Sequence, residues 1–445
     1  MDFLFSGNLL VVDLQKKEIE EEVLSEEFIS RYIGGARANL ALYEKYREED
    51  PIVFGSGFFT GTPVPASCLG VVTGKSPRTG KVGHSPFNLY AGMELKLSGF
   101  DFIVVKGVAA EPLYLWVHDG LADLLDASEL WKMDTWALTD ELRNIIGEEM
   151  VQVLGIGEAG MEGSSAAQIN INYWASPDQF GFGAKMGEKK LKALALRGLN
   201  MLDAADPPEF NDRCLELHNR IKGSEVLPGK GFASFSPLLG GEEIFGWLSE
   251  LLHRHSGCFA CHMSCNTFVK YNEPPTEMRS TEVTEPGMLF TGLSYLQKLK
   301  KGGFTIEECG RTLEQASRLG LDPEVAADAL VGEGVSDSKG AKKVLQELTS
   351  AGEVKSGGWM SEEAAEVNDQ NIFSSWPPFK VIGEGIEEEW RQINALAYTC
   401  GICPVFMLTV PFVDAKELTG LMEPGAEMEM TGEDLLEITQ EILDY

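Results

Sequence analysis

The stretch V-F-G-S-G-F-F-T-G-T-P-V-P-A-S-C-L-G-V-V-T-G at residues 53–74 carries the clearest local signal for the fold. Its two ends, 53–59 and 69–74, are rich in aromatic or β-branched residues, whereas its middle is rich in Gly, Pro and Ser. Aromatic and β-branched residues favour strands, and Gly, Pro and Ser favour the turns between strands. This part of the chain is therefore predicted to be β-sheet.

The same pattern of short strands and turns recurs through the first two hundred residues. Further strands are predicted at 8–12, 102–108, 113–118, 151–157 and 163–172. One helix is predicted at 25–33, with Ser25 as its N-cap and the pair Gly34-Gly35 as its end. The N-terminal region is thus expected to be rich in sheet.

A break near residues 200–208, where M-L-D-A-A-D-P-P-E-F begins, separates this region from one with helical periodicity. Helices are predicted at 211–220, 243–253, 305–319, 323–331 and in the tail from Thr431. The fold class is therefore predicted to be α+β, with a β-rich domain at 1–205, a helical domain at 206–330 and a C-terminal helical domain at 331–445.

The charge balance excludes one class of function. The chain has 445 residues, with 37 Lys and Arg against 69 Asp and Glu, which gives a formal net charge of −32. A surface this acidic repels phosphate backbones, so nucleic-acid binding is not expected. The hydrophobic fraction of 44% is ordinary for a folded protein.

The N-terminus and the longest apolar run predict a cytoplasmic protein that is not inserted in a membrane. The start, M-D-F-L-F-S-G-N-L-L, lacks the basic and apolar segments of a secretory signal. The longest apolar run, 400–413, contains two prolines and is too short to span a bilayer. In a reducing compartment the eight cysteines are expected to be thiols, metal ligands or redox groups.

The motif G-C-F-A-C-H-M-S-C-N at 257–266 carries the strongest chemical signal. Cys258, Cys261 and Cys265 are spaced so that their thiolates can reach one metal centre, and a distant Cys400 or Cys403 could supply a fourth. Three close thiolates and a remote one suit a [4Fe–4S] cubane. The order of the gaps, two residues and then three, differs from that of radical S-adenosylmethionine enzymes.

Structural zinc is the alternative that the spacing leaves open. Cys-x2-Cys is also a zinc motif, and His253, His255 and His262 crowd this segment. The remaining cysteines do not join an obvious site: Cys214 and Cys309 are expected to be core residues, and Cys68 lies in a Pro- and Gly-rich stretch.

Several motifs together resemble one enzyme family. The segments F-G-S-G-F-F-T-G-T-P-V-P-A-S (54–67), G-K-S-P-R-T-G (74–80), E-L-K-L-S-G-F-D-F-I-V-V-K-G (94–107) and G-F-G-A-K-M-G-E-K-K-L-K-A-L-A-L-R-G (181–198) resemble the tungsten-containing aldehyde:ferredoxin oxidoreductases. The cysteine motif is similar to the cluster motif of that family, and G-I-C at 401–403 matches its remote ligand. The chain resembles a short, divergent member.

The resemblance implies a fold and an activity. Such enzymes have a two-layered β domain that forms the base for a tungsten (or molybdenum) bis-pyranopterin, with helical domains over it. They oxidise an aldehyde at the metal and pass electrons through one [4Fe–4S] cluster to ferredoxin or another iron–sulfur carrier. On this match Cys258, Cys261, Cys265 and Cys403 are the cluster ligands.

Other site residues follow from the resemblance. The positions expected to contact the pterin are Lys75, Arg78, Gly183, Ala184, Ser317 and Asp322. Glu282 and Glu285 lie where the family has a glutamate beside the metal, and they are the expected acid–base groups. His84 and His262 are weaker candidates.

The chain departs from the family where the pterin is held. Ser317 and Tyr398 stand where the family has aspartates, and Leu69 and Gln179 stand where it has arginines. These changes remove carboxylate acceptors and guanidinium forks, but leave the cysteines intact. Two hypotheses follow: a tungstopterin enzyme with altered contacts, or a tungstopterin-free paralogue that acts as an electron-transfer or scaffold subunit of a larger redox complex.

Overall fold

A computed structural model describes residues 3–227, 231, 242–271, 287–352, 372–374 and 387–445. The strands are β1 (Asn8–Asp13), β2 (Glu18–Val23), β3 (Ile52–Ser56), β4 (Gly70–Lys75), β5 (Val82–Phe87), β6 (Phe102–Lys106), β7 (Leu113–His118), β8 (Leu121–Asp126), β9 (Gln152–Gly155), β10 (Asn170–Ile171), β11 (Trp174–Ala175), β12 (Leu191–Arg197), β13 (Leu252–Ser256), β14 (Asn266–Lys270) and β15 (Gly287–Phe290).

The helices alternate with the strands in the first half of the chain and dominate the second half. They are α1 (Glu26–Tyr32), α2 (Gly35–Lys45), α3 (Ala91–Leu97), α4 (Thr135–Ile146), α5 (Glu158–Met161), α6 (Phe182–Glu188), α7 (Pro207–Gly223), α8 (Glu242–Ser249), α9 (Ser294–Lys301), α10 (Ile306–Leu319), α11 (Pro323–Gly332), α12 (Ser338–Leu348), α13 (Glu387–Cys400), α14 (Pro404–Thr409), α15 (Ala415–Ala426) and α16 (Gly432–Leu443).

The N-terminal region contains two mixed six-stranded sheets. The first has the order β2-β1-β6-β3-β4-β5, and the second has the order β11-β10-β9-β12-β7-β8. In the first sheet β1 and β6 are parallel, as are β7 and β12 in the second, and the other pairs are antiparallel. The predicted α+β class and its sheet-rich N-terminal part are therefore confirmed.

Helix α3 joins the two sheets, because it contacts β3 and β4 of the first sheet and β12 of the second. Apolar residues of the paired strands are buried on both faces, with Val53 and Phe54 on β3 and Val104 on β6 fully inaccessible. Central strands that are covered on both faces have near-continuous apolar sequences, which is why these runs could be recognised.

Local capping residues explain where several predicted helices begin. Thr305 caps α10, and Thr431 caps α16 in a reciprocal capping box with Asp434. Ser25 caps α1 as predicted, but the Gly34-Gly35 pair does more than end that helix, because α2 starts at Gly35. The positive φ of Gly35 lets the chain turn sharply between the two helices.

Two predictions of secondary structure were wrong. The predicted strand 163–172 contains only β10 at its end, since residues 164–169 form turns and loops. The predicted helix 243–253 ends at Ser249, and the chain continues into β13. A small antiparallel sheet, β13-β14-β15, follows there, and the first four residues of β14 are all buried.

The C-terminal helices return to the N-terminal region. Helices α13 and α16 pack on α2, and α15 packs on α7. The domain boundaries at 205/206 and 330/331 stay a prediction. Among the described helices, none combines the length and the apolar character needed to cross a membrane.

Candidate metal centre

The cysteine motif forms the connection between β13 and β14. Cys258 and Cys265 are buried and Cys261 is partly exposed. The connection is fixed to the first sheet domain, because the Phe259 amide donates to the Leu89 carbonyl oxygen at 3.0 Å. Burial and the charge on Cys258 raise the pKa of Cys265, which shows that these thiols lie near one another.

The structure brings Cys403, and not Cys400, to this group. Cys403 is the N-cap of α14 and interacts electrostatically with Cys258 and Cys261. Cys400 lies on the last turn of α13, and burial alone raises the pKa of its thiol, so it faces the core elsewhere. The turn between them needs a glycine at position 401. The φ of Gly401 is +79°, and a Cβ added to Gly401 would lie only 2.1 Å from Thr60 Oγ1.

A loop of the N-terminal domain lies between the two cysteine segments. The Ala66 amide donates to the Ala260 carbonyl oxygen at 2.9 Å, and the Ala66 carbonyl accepts from the Cys403 amide at 3.1 Å. The Leu69 amide donates to the Gly401 carbonyl oxygen at 3.0 Å. Residues 64–69 therefore hold the remote cysteine in register with the Cys-x2-Cys-x3-Cys motif.

Cys68, on this loop, joins the cysteine group. It is fully buried, and it interacts electrostatically with Cys258, Cys403 and Cys261. No sequence pattern indicated this proximity, because it depends on packing between segments far apart in the sequence. Cys214 and Cys309 have pKa values raised by burial alone, as expected for core residues.

Hydrogen-bond donors point at the cysteine sulfurs. The sulfur of Cys258 accepts from Asn266 Nδ2 at 3.7 Å and from the Leu89 amide. The sulfur of Cys261 accepts from the amides of Met263 and Ser264, and that of Cys403 from the amides of Val405 and Phe406. Donors of this kind stabilise thiolate ligands and tune the metal they bind.

The chemistry of this donor set fits a metal group. The neighbouring Cys68 lowers the pKa of Cys258, but burial raises the pKa of Cys261, Cys265 and Cys403. Several thiolates in one buried place repel each other and lack solvation, so they need a cationic partner. Metal ions supply that charge and deprotonate coordinating thiols.

The backbone around the cysteines is strained. Ala66, Leu89, Ala260 and Ser264 all have positive φ values, between 43° and 60°. A non-glycine residue in this region costs on the order of 1 kcal/mol or more, and such residues cluster at functional sites. Three of these residues lie next to or within the cysteine segments, and the fourth donates its amide to Cys258. The strain therefore coincides with the candidate centre.

A surface groove reaches the group from outside. This cavity of about 450 Å³ is lined by Cys258, Cys261, Ala260, Leu215, His218, Lys222 and His262. His262 is hydrogen-bonded to His218 at 2.6 Å, and His218 in turn bonds the Pro63 carbonyl oxygen at 2.8 Å. The candidate centre thus lies at the wall of a groove that is open to solvent.

Lys96 supports the same region, and it was not recognised as a site residue in the sequence. Its buried ammonium donates to the carbonyl oxygens of Gly57 (3.0 Å) and Phe58 (2.7 Å). Burial lowers the pKa of Lys96 to about 7. Since the amide of Phe58 bonds the Thr399 carbonyl oxygen at 3.2 Å, Lys96 fixes the loop that contacts the Cys403 segment.

Two of the residues predicted to contact a pterin are paired with each other. The Arg78 guanidinium donates to Asp322 Oδ2 at 2.8 Å and to the Gln179 carbonyl oxygen at 2.9 Å, and it also bonds the Ser165 carbonyl. Both side chains are buried, and Asp322 also caps α11. These groups already have partners within the protein.

The other predicted contacts do not form a cradle. Ser317 Oγ donates to the Tyr173 carbonyl oxygen at 2.6 Å and accepts from Asn170 Nδ2 at 2.9 Å. Gly183 packs so closely that an added Cβ would lie 2.4 Å from the Gln168 carbonyl oxygen, and Ala184 is buried beside it in α6. Lys75 is exposed and lines a different cavity.

Of the remaining candidates, two fall outside the described residues and two are buried. Glu282 and Glu285 fall outside the described residues. Tyr398 is buried, and its hydroxyl donates to the Ser374 carbonyl oxygen at 2.9 Å. His84 is hydrogen-bonded to Thr73 Oγ1 at 2.8 Å, and burial lowers its pKa to about 3. Arg78, Asp322 and Ser317 thus have partners within the protein, and their contact with a pterin stays a prediction.

Comparison with known proteins agrees with the fold and the motifs. The sequence model for the N-terminal domain of aldehyde ferredoxin oxidoreductase matches residues 9–198. The tungsten-containing aldehyde ferredoxin oxidoreductase of Pyrococcus abyssi is 29% identical over 296 residues, which cover 59% of this chain and 48% of that protein. The aliphatic sulfonate oxidoreductase, WOR-like subunit, of Pyrococcus furiosus is 29% identical over 234 residues, 47% of this chain and 36% of that protein.

One solved structure shares the fold across the chain. The active site complex BamBC of benzoyl coenzyme A reductase, with 1,5-dienoyl-CoA, superimposes with a TM-score of 0.72 at 19% identity, over 99% of this chain and 88% of that chain. The match to the tungsten-containing relatives spans about half of their length, and the match to the WOR-like subunit spans about a third. On these matches and motifs, residues 9–198 match the N-terminal domain of the aldehyde ferredoxin oxidoreductase family, and the chain is similar to the tungsten-containing members of that family.

Proposed function

We propose that this oxidoreductase-family protein holds one [4Fe–4S] cluster on Cys258, Cys261, Cys265 and Cys403 and uses it as a one-electron relay. The observation that carries the proposal is the convergence of Cys403 with the other three, although it comes from the far end of the chain. Three close thiolates and one remote thiolate match the ligand pattern of a cubane.

The spacing of the thiols favours iron–sulfur over zinc. Within the described part of the chain, no three His, Cys, Asp or Glu side chains are grouped so that a single metal ion could be held. Thiolates on a cubane bind different irons and so lie further apart than thiolates on one zinc ion. His262, a possible zinc ligand, is instead hydrogen-bonded to His218.

The groove beside Cys258 and Cys261 supports electron exchange with a separate protein. A cluster at its wall would lie close to solvent, so that a redox partner could approach. Ferredoxin or another iron–sulfur carrier is the proposed partner, and other subunits of a larger complex are proposed by analogy. One relative is named as a subunit, and the matched structure is of a subunit complex.

Oxidation of an aldehyde at a tungstopterin is the second candidate function. It is favoured by relatives that are named tungsten-containing, and by buried side chains with unpaired polar atoms. Both polar atoms of Asn88 and both of Gln168 have no partner among the described residues. Such atoms suit a polar ligand or water, but the paired state of Arg78, Asp322 and Ser317 opposes a pterin there.

Elemental analysis of anaerobically purified protein tests both candidates. About four irons and four sulfides per chain, with a spectrum of a reduced cubane by electron paramagnetic resonance, would support the relay. About one tungsten or molybdenum in addition would favour the second candidate and make aldehyde oxidation the next assay. Zinc without iron would overturn the cluster assignment.

A further inference from the structure

We propose that Asn266 is a positioning residue of the candidate centre: its side-chain amide donates a hydrogen bond to the ligand sulfur of Cys258 and raises the reduction potential of the cluster. The geometry of this bond carries the inference, since Asn266 Nδ2 lies 3.7 Å from Cys258 Sγ. The inference rests on the proposed function, because it concerns the cluster that the four cysteines hold, and it assigns a role to a residue that is not a ligand.

The fold places Asn266 at the pair of residues that closes the cysteine loop. Asn266 is the first residue of β14 and lies opposite Ser256, the last residue of β13, so these two strands enclose residues 257–265. Strand β14 is the central strand of its sheet, because β15 pairs with its other side. The backbone of Asn266 is therefore fixed, and its side chain reaches Cys258, eight residues earlier in the chain.

The Asn266 carboxamide is buried with half of its hydrogen-bonding capacity unused. The residue is completely inaccessible to solvent, and its Oδ1 has no partner in the part of the chain that the structure describes. A buried polar atom without a partner costs about 1–3 kcal/mol, so asparagine is an unfavourable choice here for packing alone. Leucine has a similar size and would avoid this cost. The amide nitrogen, which faces the Cys258 sulfur, gives the asparagine a purpose that packing does not.

The charge of a metal-bound cysteine decides which end of the carboxamide faces it. A cysteine that binds iron is deprotonated, so its sulfur accepts hydrogen bonds and donates none. The carboxamide oxygen is also an acceptor, whereas the NH2 group is a donor. The orientation in the structure, with Asn266 Nδ2 toward the Cys258 sulfur, is the one that a thiolate ligand favours.

The effect on the cluster follows from charge. Reduction adds one negative charge to the cluster and its thiolates, so a hydrogen-bond donor to a ligand sulfur stabilises the reduced form more than the oxidised form. Asn266 supplies such a donor from a side chain, and one substitution removes it without changing the backbone. Removing it should make the cluster harder to reduce.

Two variants with the same substitution test the assignment. Asn266→Leu removes the donor, and Asn394→Leu is the control. Asn394, in α13, is also buried and its Oδ1 also has no partner among the described residues, but its Nδ2 donates to the Trp390 carbonyl oxygen at 2.7 Å. Iron content, far-UV circular dichroism and the midpoint potential are measured for each protein, the last by redox titration followed by electron paramagnetic resonance.

An isotope label tests the bond directly. The unmodified protein and Asn266→Leu are produced with asparagine that carries ¹⁵N in its side-chain amide. Pulsed electron paramagnetic resonance of the reduced proteins then measures whether a labelled nitrogen is coupled to the unpaired electron of the cluster. This measurement on the unmodified protein does not depend on how well a variant folds.

The expected result is that Asn266→Leu keeps about four irons and titrates at a more negative potential than the unmodified protein, whereas Asn394→Leu matches the unmodified protein. We expect the ratio of reduced to oxidised cluster at a fixed potential to fall about tenfold, which corresponds to a shift of about 59 mV for one electron. A ¹⁵N coupling should be present in the labelled unmodified protein and absent from labelled Asn266→Leu.

Three outcomes overturn the proposal. An unchanged potential in an Asn266→Leu protein that keeps its cluster would make Asn266 a core residue. An equal shift in Asn394→Leu would make the shift a general effect of altered packing. A labelled unmodified protein with a cluster but no ¹⁵N coupling would refute the hydrogen bond, whatever the variants do. Each of these refutes this inference alone, whereas an unmodified protein without iron refutes the proposed function and this inference together.

Discussion

Arg78 and Asp322 form an ion pair, 2.8 Å between Nη1 and Oδ2, in which both side chains are almost completely buried. It joins the loop after β4 to the first turn of α11, which lie far apart in the sequence. Both residues were predicted to contact a cofactor, and they are bonded to each other and to backbone groups. The pair therefore stabilises the contact between the sheet domain and the helices.

Removing one partner of this pair should destabilise the protein strongly. Arg78→Met leaves the Asp322 carboxylate buried without its cation, which costs about 3–5 kcal/mol. The free energy of unfolding from urea denaturation is the measurement, and Lys343→Met is the control, because the Lys343–Glu347 pair is exposed and contributes about 0–1 kcal/mol. Equal losses in the two variants would contradict a structural role for Arg78.

The remote ligand is predicted to be Cys403. Loss of the hydrogen-bond partner of a metal ligand lowers metal affinity by about 10–100-fold. Cys403→Ala removes a ligand itself, so we expect a larger fall in iron affinity. Cys400→Ala is the matched control, since this residue is three positions away and also buried, but faces the core. Iron per chain after anaerobic reconstitution is the measurement. Loss of iron in Cys400→Ala alone would reverse the assignment.

The loop that presents Cys403 is predicted to require Gly401. In Gly401→Ala the new Cβ would lie 2.1 Å from Thr60 Oγ1, which is a steric clash. The φ of +79° at this position is also unfavourable for alanine. We expect a loss of about 1–3 kcal/mol together with reduced iron content. Gly420→Ala is the control, because an added Cβ there meets no atom within 4 Å and alanine favours the helix. A fully loaded, stable Gly401→Ala protein would contradict the interlocked loops.

Stability should depend on pH through His84. Burial lowers the pKa of His84 to about 3 from its ordinary value of 6.5. The unfolded chain then binds a proton that the folded protein does not, so stability is full above pH 6.5 and falls as the pH decreases toward 3. The slope due to this group approaches about 1.4 kcal/mol per pH unit below pH 5.5.

The variant His84→Gln removes the contribution of this imidazole. Its free energy of unfolding should therefore fall less than that of the unmodified protein between pH 6.5 and 4.5. The exposed His253 provides the control substitution, His253→Gln. Unfolding free energies of the three proteins at each pH are compared, because titrating carboxylates contribute equally to all of them. Parallel curves for the unmodified protein and His84→Gln would show that His84 binds its proton in the folded state.

The sequence by itself determined the local features of this protein. Strands such as β7 and β1, and the helix cap Ser25, depend on neighbouring residues, so periodicity and capping patterns were sufficient to find them. The spacing of Cys258, Cys261 and Cys265 is local too, and the motifs of the N-terminal region showed the resemblance that the family model matches at residues 9–198.

The tertiary structure decided what depends on contacts between distant segments. Only packing brings Cys68 and Cys403 to the Cys-x2-Cys-x3-Cys motif and pairs Arg78 with Asp322. It also made β13–β15 a sheet, in a region where sequence periodicity favoured helices. A buried thiol or guanidinium needs an interaction partner, and the fold, not the neighbouring residues in the sequence, determines which group lies close enough to be that partner.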